Sequence, residues 1–145
     1  MIRKALIDDV KNLHHLESSI FSKDEFGISL SSFYYHVKRN PIFVYEEDSK
    51  IGAYILWLKR KNYYRLYSIC VDKSFQGKGI SKKLLLFSFE QLDNSSYQLE
   101  VKVNNSIAIS LYEKYGFRIK KTIKDYYPNN IDAFLMIREK DVNTL

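Results

Sequence analysis

A turn with two glycines follows an apolar strand in the segment Val71-Asp72-Lys73-Ser74-Phe75-Gln76-Gly77-Lys78-Gly79-Ile80-Ser81. The residues after it have the apolar spacing of a helix. Such a turn directs several free backbone N–H groups at one point, where the helix dipole adds partial positive charge. Gly77 and Gly79 permit close approach because they have no Cβ, and Lys78 adds charge. The segment predicts a phosphate or pyrophosphate site, although the glycines alone favour an ordinary turn.

A second informative segment is Leu99-Glu100-Val101-Lys102-Val103-Asn104-Asn105-Ser106-Ile107-Ala108-Ile109-Ser110-Leu111-Tyr112-Glu113-Lys114-Tyr115-Gly116-Phe117. Together the two segments resemble the GNAT superfamily of acetyl-CoA-dependent N-acetyltransferases. The glycine turn is similar to its Q/R-x-x-G-x-G/A pyrophosphate loop, and residues 105–117 to its N-x-x-A-x-x-L-Y-x-x-x-G-F motif. Within the superfamily, residues 64–136 are most similar to bacterial ribosomal-protein-alanine N-acetyltransferases. Before Tyr64 the resemblance rests on the order of elements.

The resemblance implies acetyl-CoA as co-substrate, with its pyrophosphate on the backbone amides between Gln76 and Ser81. Ser81 departs from the usual Gly or Ala but keeps its N–H. Asn105 is implied to lie beside the pantetheine arm, although it is also a natural helix N-cap. The full set of implied cofactor-binding residues is Ile69, Cys70, Val71, Gln76, Gly77, Lys78, Gly79, Ile80, Ser81, Asn105 and Tyr112.

Composition describes a globular chain. Its 145 residues, 46% of them hydrophobic, are enough for one domain with a buried core, which we expect to span residues 1–145. Cys70 is the single cysteine, which excludes an internal disulfide framework, and its apolar neighbours favour a core residue over a nucleophile. The sequence shows neither a signal-like nor a long apolar stretch, so we expect a soluble, cytoplasmic protein that does not bind membranes.

The charge and the histidines indicate which partners to expect. A net charge of +6 favours anionic partners such as the cofactor, an acidic protein surface or RNA, and a lysine-rich solvated surface explains it equally well. Nucleic acid is not the expected partner, and a monomer or homodimer is expected. His14 and His15 point to different faces of one helix without other ligands at suitable spacing, so no metal site is predicted.

The periodicity predicts an α/β (α+β) fold in a single GNAT-like domain, with a central mixed, mostly antiparallel sheet of about seven strands flanked by about four helices. Helices are predicted after three N-caps, namely Asp8 or Asp9, Ser29 and Asn105, and after Gly79. The predicted strands are 2–7, 42–45, 51–58, 64–71, 97–103, 118–124 and 133–137. In the strand 97–103, Glu100 points away from the apolar face.

Two residues are candidates for proton transfer. An acetyl thioester is already activated, so the enzyme has to hold the amine against it, remove a proton and return one to the thiolate. The resemblance favours Glu100 as the base, acting through water, over a simple exposed strand carboxylate. It also favours Tyr112 as the acid over a core tyrosine, because a phenol of pKa ~10 can protonate a thiolate whose thiol ionises near ~8.5.

The acceptor is the least determined feature of the sequence. Tyr126 and Tyr127, in a loop before Pro128, are substrate-binding candidates, because this loop borders the acceptor groove in similar enzymes. Asp24 and Glu25 form an acidic segment where an ammonium would enter. Three alternatives stay open: an acetyltransferase for the α-amine of a protein or peptide N-terminus, which we favour; one for a small amine such as a polyamine, amino acid or aminoglycoside; and a non-catalytic RNA- or ribosome-binding module, which intact Glu100 and Tyr112 disfavour.

Overall fold

The computed structural model describes residues 1–21, 27–92 and 95–140. Within them, seven strands form one mixed sheet that four α-helices accompany, which confirms the predicted fold class. The strands are β1 (Ile2–Lys4), β2 (Ile42–Glu47), β3 (Lys50–Lys59), β4 (Tyr63–Val71), β5 (Ser96–Lys102), β6 (Arg118–Tyr127) and β7 (Ile131–Arg138). The helices are α1 (Val10–Ile20), α2 (Leu30–Arg39), α3 (Ile80–Gln91) and α4 (Ser106–Lys114). The strand order is β1-β2-β3-β4-β5-β7-β6.

The chain divides into two compact units. The first unit comprises Met1–Lys59 and Tyr67–Leu92, and the second comprises Arg60–Leu66 and Asp93–Leu145. The first unit carries the glycine turn, and the second carries Glu100 and Tyr112. The expectation that residues 1–145 act as one domain stays a prediction.

In the first unit, α1 and α2 pack apolar side chains into the core. Val10 and Leu13 of α1 and Phe33 of α2 are fully buried. Ser29 caps α2 as predicted, since its side chain accepts a hydrogen bond from the backbone N–H of Ser32. Asp9 does not cap α1 by its side chain, which corrects that prediction. Its carboxylate accepts instead from the Leu6 N–H at 2.7 Å and from Arg3 at 2.8 Å. With these two donors the carboxylate makes no bond to the N–H groups at the start of α1.

The hairpin of β2 and β3 is the centre of the first unit. The strands pair in antiparallel register, for example Val44 with Tyr54. Residues 53–58 of β3 are buried without interruption, so both faces of this strand are covered. Trp57 is completely buried, and its indole Nε1–H donates to the Ser88 hydroxyl of α3 at 2.9 Å. This contact ties α3, the helix that follows the glycine turn, to the sheet.

In the second unit, β5 shows the predicted alternation. Tyr97, Leu99 and Val101 are buried, while Gln98 and Glu100 are half-buried on the other face. The strand pairs in parallel with β4 and antiparallel with β7. The helix α4 begins as predicted: the Asn105 side chain accepts from the Ala108 N–H at 3.2 Å. Gly116 follows α4 with a φ of +98°, a left-handed conformation that suits glycine.

Two strands end three residues away from the predicted position. The first strand ends at Lys4, because a 3-10 turn at Ile7–Asp9 takes over. At the other end of the chain β6 continues to Tyr127, so Tyr126 and Tyr127 end a strand instead of lying in a loop. A bulge makes this possible: Asp125 has a φ of +54°, and its N–H donates to the Asp132 carboxylate at 2.9 Å.

Candidate active site and cofactor loop

The glycine turn has the backbone geometry of an anion site. Gly77 and Gly79 have φ values of +78° and +74°, which residues with a side chain rarely adopt. A Cβ added at either glycine would meet nothing within 4 Å, so the space beside the turn is open. Gly79 is the N-cap of α3 and has no side chain to accept from the N–H groups of the first turn. These N–H groups are therefore suited to donate hydrogen bonds to a pyrophosphate.

The side chains of this segment stabilise the turn itself. The Gln76 Nε2 donates to the Val71 carbonyl at 3.0 Å, which fastens the turn to the end of β4. The Asp72 carboxylate accepts from the backbone N–H of Ser74 at 3.3 Å. Lys78 is exposed, and its ammonium lies 5.4 Å from the centre of the Phe75 ring. Gln76 thus acts on the backbone of the turn, and Lys78 is an exposed cation beside it.

Cys70 is a core residue, as predicted. Its side chain is 2% exposed, and its Sγ lies 3.9 Å from the Leu16 carbonyl of α1. Burial raises the pKa of this thiol to about 12, with the nearby Glu17 and Asp72 carboxylates adding to the rise. The thiolate form is therefore scarce at neutral pH. Any contact between Cys70 and a cofactor would use its backbone, whereas the flanking Ile69 and Val71 side chains are half-buried.

The candidate base Glu100 is held by an arginine. The Arg65 Nε–H is 3.0 Å from Glu100 Oε1 and 3.1 Å from Oε2. The same guanidinium donates from Nη2 to the Tyr126 hydroxyl at 3.1 Å. Burial lowers the pKa of Arg65, but the charge and hydrogen bonds of Glu100 outweigh this and leave that pKa raised. Glu100 and Tyr126, predicted separately, are therefore joined through one residue.

Sequence reasoning missed Arg65. The sequence did contain an indication of its importance, since Arg65 is the only charged residue between Tyr63 and Val71. The register that pairs Arg65 with Gln98 could not be read from the sequence. That register places the guanidinium within reach of Glu100, two residues farther along the same face of β5.

The candidate acid Tyr112 is a buried phenol. Its side chain is 8% exposed, and its ring makes an edge-to-face contact with Phe117 at 5.7 Å. Burial raises the pKa of Tyr112 to about 12, so the value near 10 expected from the sequence was too low. The Tyr112 hydroxyl therefore keeps its proton at neutral pH.

The tyrosines that end β6 differ in exposure. Tyr126 is 40% exposed, and its ring meets Tyr127 edge to face at 4.9 Å. Burial raises the pKa of Tyr127 to about 12; Tyr126, Glu100 and Tyr112 add to the rise, and Arg65 opposes it. Tyr127 is therefore within electrostatic range of both proton-transfer candidates. The other acceptor candidates, Asp24 and Glu25, lie outside the described residues.

The described part of the chain lacks two features that define other classes of protein. Among residues 1–21, 27–92 and 95–140, no three or more His, Cys, Asp or Glu side chains are placed to hold a metal ion. In the same ranges, no helix has the length and apolar character needed to cross a bilayer.

Comparison with known proteins agrees with this geometry. Residues 38–119 match the model of the acetyltransferase (GNAT) domain. An uncharacterised N-acetyltransferase of Methanocaldococcus jannaschii is 30% identical over 144 residues, which cover 97% of this chain and 92% of that protein. The ribosomal protein bS18-alanine N-acetyltransferase of Haemophilus ducreyi is 36% identical over 87 residues, 58% of this chain and 60% of that protein.

A solved structure shows the same fold along nearly the whole chain. The ribosomal-protein-S18-alanine N-acetyltransferase of Escherichia coli superposes with a TM-score of 0.86 at 25% identity, over 97% of this chain and 93% of that one. The chain belongs to the GNAT acetyltransferase family. It is an acetyl-CoA-dependent N-acetyltransferase, and the open glycine turn before α3 fits the pyrophosphate of that co-substrate.

Proposed function

We propose that the protein transfers the acetyl group of acetyl-CoA to the α-amino group of a protein or peptide N-terminus. The proposal is carried by the hydrogen bonds of Arg65 to both Glu100 and Tyr126. These bonds join a carboxylate base to an exposed tyrosine suited to hold a peptide. The bS18-alanine acetyltransferases of Haemophilus ducreyi and Escherichia coli support the same class of acceptor.

The transfer proceeds by direct attack in a ternary complex. The neutral amine attacks the thioester carbonyl carbon, the C–S bond breaks, and CoA leaves as the thiolate. Glu100 takes the proton of the ammonium through water, and no covalent acyl-enzyme is needed. We assign the binding of the CoA pyrophosphate to the backbone between Gln76 and Ser81, and contact with the pantetheine arm to Asn105.

Tyr112 assists the leaving group. A phenol whose pKa burial raises to about 12 holds its proton more tightly than a thiol of pKa ~8.5. Complete transfer to the thiolate is therefore uphill. A hydrogen bond from the Tyr112 hydroxyl to the departing sulfur stabilises the developing charge without that cost, and water can supply the proton afterwards.

Proton chemistry favours an α-amine over a lysine or a polyamine. An α-amine with a pKa of ~8 is partly neutral at pH 7. A lysine amine has a pKa of ~10.4, over two units higher, so its deprotonation costs about 3 kcal/mol more. The local charges agree: Arg65 neutralises Glu100, and the Lys102 ammonium lies 5.5 Å from the centre of the Tyr127 ring. A multiply charged polyamine gains little from such surroundings.

We also propose that residues 1–145 act as one catalytic domain, as a monomer or homodimer. The family match supports a single domain, because residues 38–119 include parts of both compact units.

The test is incubation with acetyl-CoA and a panel of acceptors, scoring released thiol and locating the acetyl group by mass spectrometry. Each peptide carries a free N-terminus and an internal lysine, and its control has the N-terminus blocked. We expect acetylation of the N-terminus in the first peptide and no turnover with the control. Acetyl groups only on lysine, or activity confined to polyamines, would contradict the proposal.

A further inference from the structure

Arg65 links the base to the strand end that we assign to the acceptor. We propose that Arg65 is a positioning residue that holds Glu100 and Tyr126 as one unit, so that proton removal and acceptor binding depend on each other. This inference rests on the proposed function.

The geometry of the guanidinium supports the link. Its Nε–H is shared by both oxygens of Glu100, at 3.0 and 3.1 Å, and Nη2 reaches the Tyr126 hydroxyl at 3.1 Å. Nε and Nη2 lie in one rigid plane, so the guanidinium fixes where the Glu100 carboxylate stands relative to the Tyr126 hydroxyl. A lysine ammonium at the same place would supply charge without this fixed geometry. Arg65 is therefore suited to hold Glu100 and Tyr126 in a defined relative position.

Partial burial strengthens the electrostatic contact between Arg65 and Glu100. The side chain of Glu100 is 14% exposed and that of Arg65 is 26% exposed, so water screens the pair less than a surface pair. Tyr126 and Tyr127 of β6, Lys102 of β5 and Tyr112 of α4 reach the same region.

The kinetic test compares Arg65→Gln and Arg65→Lys with the wild type, using acetyl-CoA and an acceptor peptide, and measures kcat and both KM values. Arg60→Gln is the matched control, since Arg60 is an exposed arginine of the same unit. We expect Arg65→Gln to lower kcat by about tenfold or more and to raise the KM for the peptide, with the KM for acetyl-CoA unchanged. Arg65→Lys keeps the charge but not the planar set of donors, so it should recover only part of kcat, and Arg60→Gln should match the wild type.

Tyr126→Phe tests the other half of the link. It removes the hydroxyl that accepts from Arg65, so we expect a higher KM for the peptide and a lower kcat, with the KM for acetyl-CoA unchanged. Values of kcat and peptide KM within twofold of wild type in Arg65→Gln would overturn the inference. An equal rise in the KM for acetyl-CoA and in the KM for the peptide would also overturn it, because a general disturbance of the structure predicts that pattern.

A measurement without turnover separates this inference from the proposed function. The Arg65 Nε–H proton should exchange slowly with solvent in the NMR spectrum of the wild type and lose that protection in Glu100→Ala. Rapid exchange in the wild type would overturn the inference even if the enzyme acetylates peptides. A protected proton in a protein that acetylates no peptide N-terminus would instead overturn the proposed function, and with it the coupling to the acceptor.

Discussion

The ring of Phe75 lies against the backbone of Gly52 so closely that a Cβ on Gly52 would stand 2.6 Å from the Phe75 Cδ2. The backbone is fastened at the same place, because the Asp72 N–H donates to the Gly52 carbonyl at 2.8 Å. Phe75 is buried and stands immediately before the glycine turn. The strand β3 therefore determines where the turn begins, although it contributes no side chain at this position.

Gly52→Ala should disturb both stability and cofactor binding. The added methyl group has to displace the Phe75 ring, and such overpacking costs about 1–3 kcal/mol of unfolding free energy. We expect the displacement to reach the turn and to weaken CoA binding, as measured by chemical denaturation and calorimetry. Gly52→Ala combined with Phe75→Leu is the control, because the smaller side chain makes room and should recover part of both losses. Wild-type stability and affinity in Gly52→Ala would contradict the close packing.

Gly79→Val should abolish binding of acetyl-CoA. The residue has a φ of +74°, which a β-branched side chain resists, and the new side chain would occupy the open space beside the turn. Calorimetry with CoA measures the effect, and circular dichroism shows whether the variant is folded. Lys83→Ala, an exposed substitution in α3, is the control and should bind nearly as the wild type does. Unchanged affinity in a folded Gly79→Val would place the pyrophosphate elsewhere.

Local patterns were sufficient to predict much of this structure. The alternation in β5 and the caps Ser29 and Asn105 depend on neighbouring residues, so the sequence predicted them correctly. The extension of β6 through Tyr126 was missed because it depends on a bulge and on a contact with Asp132 of the next strand. The role of Arg65 was missed for a similar reason, since it depends on the register of two strands far apart in the chain.

Cys70 should be unreactive in the folded protein. Burial raises the pKa of its thiol to about 12, from 9.0, so iodoacetamide at pH 8 should modify the unfolded protein but spare the native one. Because the folded pKa is the higher one, the thiol's contribution to stability is complete below about pH 9 and is lost as pH rises toward 12. Urea unfolding at pH 7 and pH 10 measures this loss, which should be smaller in Cys70→Ala. Rapid alkylation of the native protein would contradict the burial.

Glu100→Gln should lower turnover while leaving the fold intact. The amide keeps the shape of the side chain and can still accept from Arg65, but it cannot take a proton. We expect kcat with an acceptor peptide to fall by about 10²-fold or more if no other base replaces it. Calorimetry with CoA is the control and should give the wild-type affinity. A wild-type rate in this variant would show that the proton leaves by another path.

Tyr112→Phe should lower kcat by about tenfold to a hundredfold, because it removes only the hydrogen bond to the leaving sulfur. The ring and its contact with Phe117 remain, so affinity for CoA and thermal stability should stay close to wild type. Burial raises the pKa of Tyr112 to about 12, so its hydroxyl stays protonated as pH rises and should cause no alkaline loss of activity below about pH 11. The pH profile of kcat measures this in the wild type, within the range where the protein stays folded. An alkaline limb near pH 9 that disappears in Tyr112→Phe would contradict the assignment, because it would require Tyr112 to ionise well below the pKa that its burial produces.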